Sequence, residues 1–105
     1  MDGISASVSG LQVAGQSFAL SANNVANLNS AGYQAESLVQ QTLPQGGVEG
    51  VAVQRSQAQG YPGTSNVDLG TEAVNLDIQS LSFQANAKAL EVQAQTLGAA
   101  LDIQA

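Results

Sequence analysis

The sequence predicts a mainly α protein: long N- and C-terminal helices packed as an antiparallel coiled-coil-like pair, with a short β-hairpin or loop insertion between them. Three observations carry this. Apolar residues recur at alternating steps of four and three near both ends of the chain, the spacing of one helical face. Glycines and the only two prolines crowd the middle and end the helical pattern there. The first helical stretch, from Gly3 to Ala35, contains no charged residue, so it reads as a surface meant for packing.

The N-terminal pattern runs Ile4, Val8, Leu11, Gly15, Phe18, Ala22, Val25, with Ser9, Gln12, Gln16 and Asn23 on the other side. Gly3, Gly10 and Gly15 each cost about 1 kcal/mol relative to alanine inside a helix. A helix of such modest propensity needs a partner to pack on. It is expected to stop near Asn29-Ser30-Ala31-Gly32, where Gly32 supplies a left-handed conformation. Within Ser21 to Asn29, Asn24 and Asn27 belong to a group of asparagines that reads either as a cross-subunit hydrogen-bond network or as a helix end shedding into a polar turn.

In the middle, Val48 and Val51-Ala52-Val53 have strand texture, Ser37-Leu38-Val39 less so, and a hairpin turn is expected at Pro44 to Gly47. Gln57 to Gly63 reads as an exposed connection. From Asn66 to Ile103 the pattern Leu69, Ala73, Leu76, Ser80, Phe83, Ala87, Leu90, Ala94, Leu97, Leu101 is unbroken. A second row, Val74, Ile78, Leu81, Ala85 and Val92, flanks it, so this helix is expected to touch more than one neighbour. Ser65-Asn66-Val67-Asp68 resembles a capping box, and Asp68 and Glu72 suit the positive end of the helix dipole. Fully helical, the span would be about 57 Å long. The expected divisions are 1–32 (N-terminal helix and turn), 33–65 (insertion) and 66–105 (C-terminal helix), together one structural domain.

Composition narrows the function classes. Among 105 residues, 44% are hydrophobic but only 4% aromatic and 10% charged, a thin supply for a self-contained core. Without cysteine or histidine, disulfide, thiolate-zinc and histidine-metal staples are excluded, and no cofactor is expected. Partner subunits remain as the means of stabilisation. A net charge of -6, with Arg55 and Lys88 the only basic residues, excludes the footprint of a nucleic-acid binder. No run approaches the ~20 apolar residues of a membrane span, so no direct membrane insertion is expected, and no cleavable signal peptide is legible.

Catalysis finds no foothold. The i, i+4 carboxylates Asp68 and Glu72 are better read as helix-start residues than as an acid/base pair. Gly46, Gly47 and Gly50 lack the lysine and frame of a phosphate loop. Lys88 interrupts the second apolar row; it pairs either with Glu91, three residues on, or with a carboxylate of a neighbouring subunit.

Ser9-Gly10-Leu11 followed by Ala22-Asn23-Asn24-Val25-Ala26-Asn27-Leu28-Asn29-Ser30-Ala31-Gly32-Tyr33 resembles the N-terminal signature of bacterial flagellar rod and hook proteins. Asn66 to Leu76 is similar to the opening of that family's C-terminal segment, and Phe83 to Lys88, including Asn86, and Leu97 to Ile103 continue it. Ser30-Ala31 stand where the family commonly has threonine and proline, and Gln34-Ala35 where basic residues are common. The short middle resembles a proximal-rod member. The resemblance implies a non-enzymatic structural subunit of the basal-body rod, polymerising through its terminal helices into the axial tube. It further implies homo- and hetero-oligomers with other axial proteins, and passage through the flagellar type III export apparatus without a cleaved signal. Its place would be the periplasm-spanning rod. The expected assembly interface comprises Ile4, Val8, Leu11, Phe18, Asn24, Val25, Asn27 and Gly32, with Leu69, Leu76, Phe83, Asn86, Leu90, Leu97 and Leu101. The alternative is a small helical adaptor or export-related module that binds rod subunits.

Overall fold

The structure, a computed structural model, describes residues 2–60 and 62–104. Tyr61, inside the expected connection, lies outside the described residues, as do Met1 and Ala105. The elements follow the expected order: α1 (Asp2–Ala26), β1 (Glu36–Thr42), β2 (Val48–Arg55) and α2 (Leu69–Gln104). The two helices pack antiparallel, Gly3 near Gln93 at one end and Asn24 bonded to Glu72 at the other.

Helix α1 ends at Ala26, a few residues before the expected Asn29 to Gly32. The winding tightens there: the Asn27 amide donates to both Asn23 and Asn24 carbonyls, and Leu28 reaches back only to Val25. Such short-range bonds consume the last carbonyls of the helix. Helix α2 starts at Leu69 rather than Asn66. Its cap is Asp68, whose carboxylate accepts the Thr71 amide at 3.1 Å. Ser65 instead caps nothing helical; its hydroxyl accepts from Val67 and donates to the Leu28 carbonyl at 2.7 Å.

The hairpin turns where expected, with Leu43 accepting from Gly46 and donating to Gly47. The strands pair from Glu36↔Arg55 to Thr42↔Val48, with an irregularity between Val39 and Gln40 that leaves Val51 without an opposite. The hairpin lies on α1 and not on α2. Val48 donates its amide to the Ser9 hydroxyl at 3.1 Å, and Gly47 sits so close that a Cβ there would meet that hydroxyl.

The molecule is a rod of 67 × 24 × 14 Å. Its radius of gyration is 17.9 Å, against about 13 Å for a compact domain of this length. Among the described residues, the buried apolar side chains are Val13, Ala14 and Val67. Ser7, Ser17, Ser21, Asn24, Ser65 and Glu72 are buried with them. The interior is small and polar.

Candidate assembly site

Two rows at seven-residue steps meet where the helices cross. On α1 they are Gly3, Gly10, Ser17 and Asn24; on α2, Gln93, Asn86, Gln79 and Glu72. A Cβ on Gly10 would collide with the Asn86 amide, and one on Gly3 would come within 2.9 Å of the Gln93 amide nitrogen. Ser7 adds a hydroxyl bond to Gln93 Oε1 at 3.0 Å. Ser17 and Gln79 line one cleft, and Gln79 Oε1 is buried without a hydrogen-bond partner. Small residues on one helix thus receive long polar ones from the other.

The last rung is the most completely satisfied. Asn24 is 1% exposed, and its Nδ2 donates to the Glu36 carbonyl at 2.8 Å and to Glu72 Oε1 at 3.1 Å. Its Oδ1 accepts the Glu36 amide at 2.9 Å and the Tyr33 hydroxyl at 3.0 Å. One side chain therefore ties the end of α1, the entry to β1 and the start of α2. Tyr33 holds its proton above the ordinary value of 10.0, first because burial disfavours the phenolate, then through the charge of Glu36 and the hydrogen bond to it.

Asn66 closes the same junction from below, accepting the Ala35 amide at 2.7 Å and donating to the Ser56 and Ala58 carbonyls. Gly32 has a φ of +77° and donates to the Thr64 carbonyl, the left-handed turn expected of it. Asn27 bonds locally, to the Asn23 carbonyl and to Ser30. Asn23, Asn24 and Asn27 thus each bond within the chain.

The expected stripe from Ile4 to Val25 is not the row that meets α2. It lies one step round α1, beside the matching stripe Leu76, Phe83, Leu90, Leu97. Phe18 and Phe83 line one cleft of about 300 Å³, and Ile4 and Leu97 another of about 360 Å³. Leu11 with Leu90 and Val25 with Leu76 fall on the same edge by the seven-residue step. These are two separate clefts between the helices. Phe18 is 44% and Phe83 46% exposed; Val8, Leu69, Leu97 and Leu101 are exposed, and Ile4, Leu11, Val25, Leu76 and Leu90 half-buried. Asn86 faces Gly10 and belongs to the polar row. The second apolar row is exposed as well, Leu81 at 66%, with Ile78 and Val92 at the edges of clefts shared with α1.

A cleft of about 790 Å³ between the hairpin and α2 is lined by Glu36, Arg55, Asp68, Glu72 and many serine and glutamine side chains. Its Arg55 pairs with Glu36 at 3.6 Å. Among the described residues, no group of three acidic, histidine or cysteine side chains could hold a metal ion. No helix of the described residues is long and apolar enough to cross a membrane.

Sequence reasoning missed Tyr33, Asn66, Glu72, Gln79 and Gln93 as packing residues. The signal existed for three of them: Glu72, Gln79 and Gln93 recur at seven-residue steps, in one row with Asn86.

Residues 58–103, the connection and nearly all of α2, match the family described as flagellar basal body rod FlgEFG protein C-terminal. No curated protein matches the chain. That family is structural rather than enzymatic. Over residues 58–103, then, the resemblance to the flagellar rod proteins is shown.

Proposed function

We propose that this chain is a structural subunit of the flagellar basal-body rod that polymerises through its terminal helices into the axial tube. The observation that carries the reading is the inverted distribution of polarity. Serine, asparagine and glutamate are buried inside, while Phe18, Leu81, Phe83 and Leu97 stay exposed. Exposed apolar surface of this extent marks an interaction site. Full burial of each such side chain contributes about 1.5–3 kcal/mol, part of which is still unrealised in the single chain.

In this reading residues 1–32 and 66–105 form the packed inner core and residues 33–65 a small outer insertion. The interface comprises the Ile4 to Val25 and Leu69 to Leu101 stripes, with Asn24, Asn27, Gly32 and Asn86 holding the helices and turn that present them. The chain would meet other axial proteins, as homo- or hetero-oligomer, and reach them unfolded through the type III export apparatus without a cleaved signal, in the periplasm-spanning rod.

Purified basal bodies from cells producing a tagged chain test this. The tag is expected in the rod, and the Phe83→Ala variant is expected to accumulate in the cell yet stay out of the rod, with loss of motility. A tagged chain found only as a discrete complex away from basal bodies would favour an adaptor instead.

A further inference from the structure

We infer that the free edge of β1, where it faces the cleft toward α2, takes up an extended segment of another protein as a third strand. The segment runs antiparallel to β1 and carries a basic side chain at its C-terminal end, beside Glu36.

The ladder fixes which backbone groups are spare. Ala35 accepts the Ser56 amide at 2.8 Å just before the hairpin, and Leu43 donates to the Gly47 carbonyl at 3.0 Å at its turn. Opposed residues of an antiparallel ladder alternate between hydrogen-bonded and non-bonded pairs. Counted inward from both ends along the observed register, Ser37, Val39 and Gln41 face β2. Glu36, Leu38, Gln40 and Thr42 turn their amides and carbonyls away from it. Asn24 takes up both outward groups of Glu36, as a neighbouring strand would. Among the described residues, the outward groups of Leu38, Gln40 and Thr42 have no such partner. These three span about 13 Å of strand.

The two edges of the hairpin are treated differently. On β2 the extra residue Val51 interrupts the ladder, and the Val48 amide is taken by the Ser9 hydroxyl. Bulges and covered groups keep an edge from pairing. β1 has neither beyond Glu36, and neither proline nor lysine stands in it. It also has room beside it. Glu36, Leu38 and Gln40 line the cleft of about 790 Å³ that separates the hairpin from α2, and the two backbones do not approach each other. Gln40 reaches Ser17 on the cleft wall at 3.4 Å, whereas Gly50 to Val53 of β2 border another cleft, with Gln16 and Ala19.

Charge chooses the guest. The cleft presents the carboxylates of Glu36, Asp68 and Glu72 against one guanidinium, Arg55, which is already paired with Glu36 at 3.6 Å. These groups stand where β1 and α2 begin. A strand with lysine or arginine at that end meets the surplus negative charge, and an acidic one is repelled. The hairpin of a second copy would bring Glu36 and Glu49 with its single Arg55, so the guest is a different protein. Backbone bonds along the edge supply affinity and the basic residue supplies choice.

The probe is a capped hexapeptide of alternating threonine and valine ending in lysine, added to isotope-labelled full chain held folded by osmolyte. The amides of Leu38, Gln40 and Thr42 are expected to exchange more slowly with solvent, and that of Val53, on the β2 edge, to be unaffected. Methylating the peptide amides that face β1 is expected to weaken binding roughly tenfold or more, and methylating the alternate ones to leave it unchanged. Glutamate in place of the terminal lysine is expected to weaken binding as well. Gln40→Pro removes one edge donor outside the ladder and is expected to lower affinity while Val39 and Gln41 keep their protection. Unchanged exchange at Leu38, Gln40 and Thr42, slowing at Val53 instead, equal binding of the two methylated peptides, or equal binding of the glutamate peptide would each overturn the inference. Presence of the tagged chain in basal bodies reads out the rod assignment separately, so either can fail without the other.

Discussion

At the scale of single residues, Asn24 concentrates the most consequence in the fewest atoms. Its amide satisfies both backbone groups of Glu36 and one carboxylate oxygen of Glu72. Replacing it by alanine strands those buried groups, each at about 1–3 kcal/mol. We expect Asn24→Ala to cost about 3 kcal/mol, read as a higher concentration of stabilising osmolyte needed to fold the chain. Glu72→Gln, which keeps an acceptor for Asn24, should move that concentration much less. Tyr33 offers a second measurement. Burial and Glu36 hold its folded pKa above 10.0, so on raising the pH the unfolded chain loses the phenol proton first. The stabilisation is therefore intact below pH 10.0 and is lost as pH climbs through the folded value. Ultraviolet titration of a Tyr61→Phe chain folded by osmolyte should show the raised value, and Glu36→Gln should lower it part of the way.

At the scale of elements, the register of α1 on α2 is fixed by polar and small residues rather than by the apolar stripes. Gly10 shows how. Alanine there would gain about 1 kcal/mol of helix propensity, but its methyl would enter the space of the Asn86 amide. Asn86 cannot yield freely, since its Nδ2 donates to the Ser82 carbonyl at 2.9 Å. Overpacking of this kind costs about 1–3 kcal/mol, so Gly10→Ala should be net destabilising. Gly10→Ala combined with Asn86→Ala should recover most of the loss. A double-mutant cycle returning no coupling between the two would mean that the rows do not set the register.

For the whole molecule, shape and stability are linked. A helix pair whose interface is serine, asparagine and glutamine gains little hydrophobic stabilisation, and its apolar groups still face water. Ordering each residue costs about 1–2 kcal/mol of backbone entropy, which the three buried apolar side chains among the described residues cannot offset. We expect the isolated chain to show weak far-UV helicity and a broad melt at micromolar concentration, with helicity rising as it assembles. A sharp two-state melt of the monomer would show that the polar ladder alone holds the fold.

The element order, the hairpin turn at Pro44 to Gly47, the left-handed Gly32 and the apolar stripes are all local or periodic, and so the sequence alone determined them. Periodicity tells which residues share a face; it does not tell what that face meets. The tertiary structure decided that the Ile4 to Val25 stripe borders open clefts instead of meeting α2, because glycine and serine allow the closer helix approach and the long amides of α2 fill the space they leave. It also decided the role of Asn24, Tyr33, Asn66 and Glu72, whose bonds join segments up to 48 positions apart. Donors and acceptors at such separation become partners only once the chain has folded back on itself.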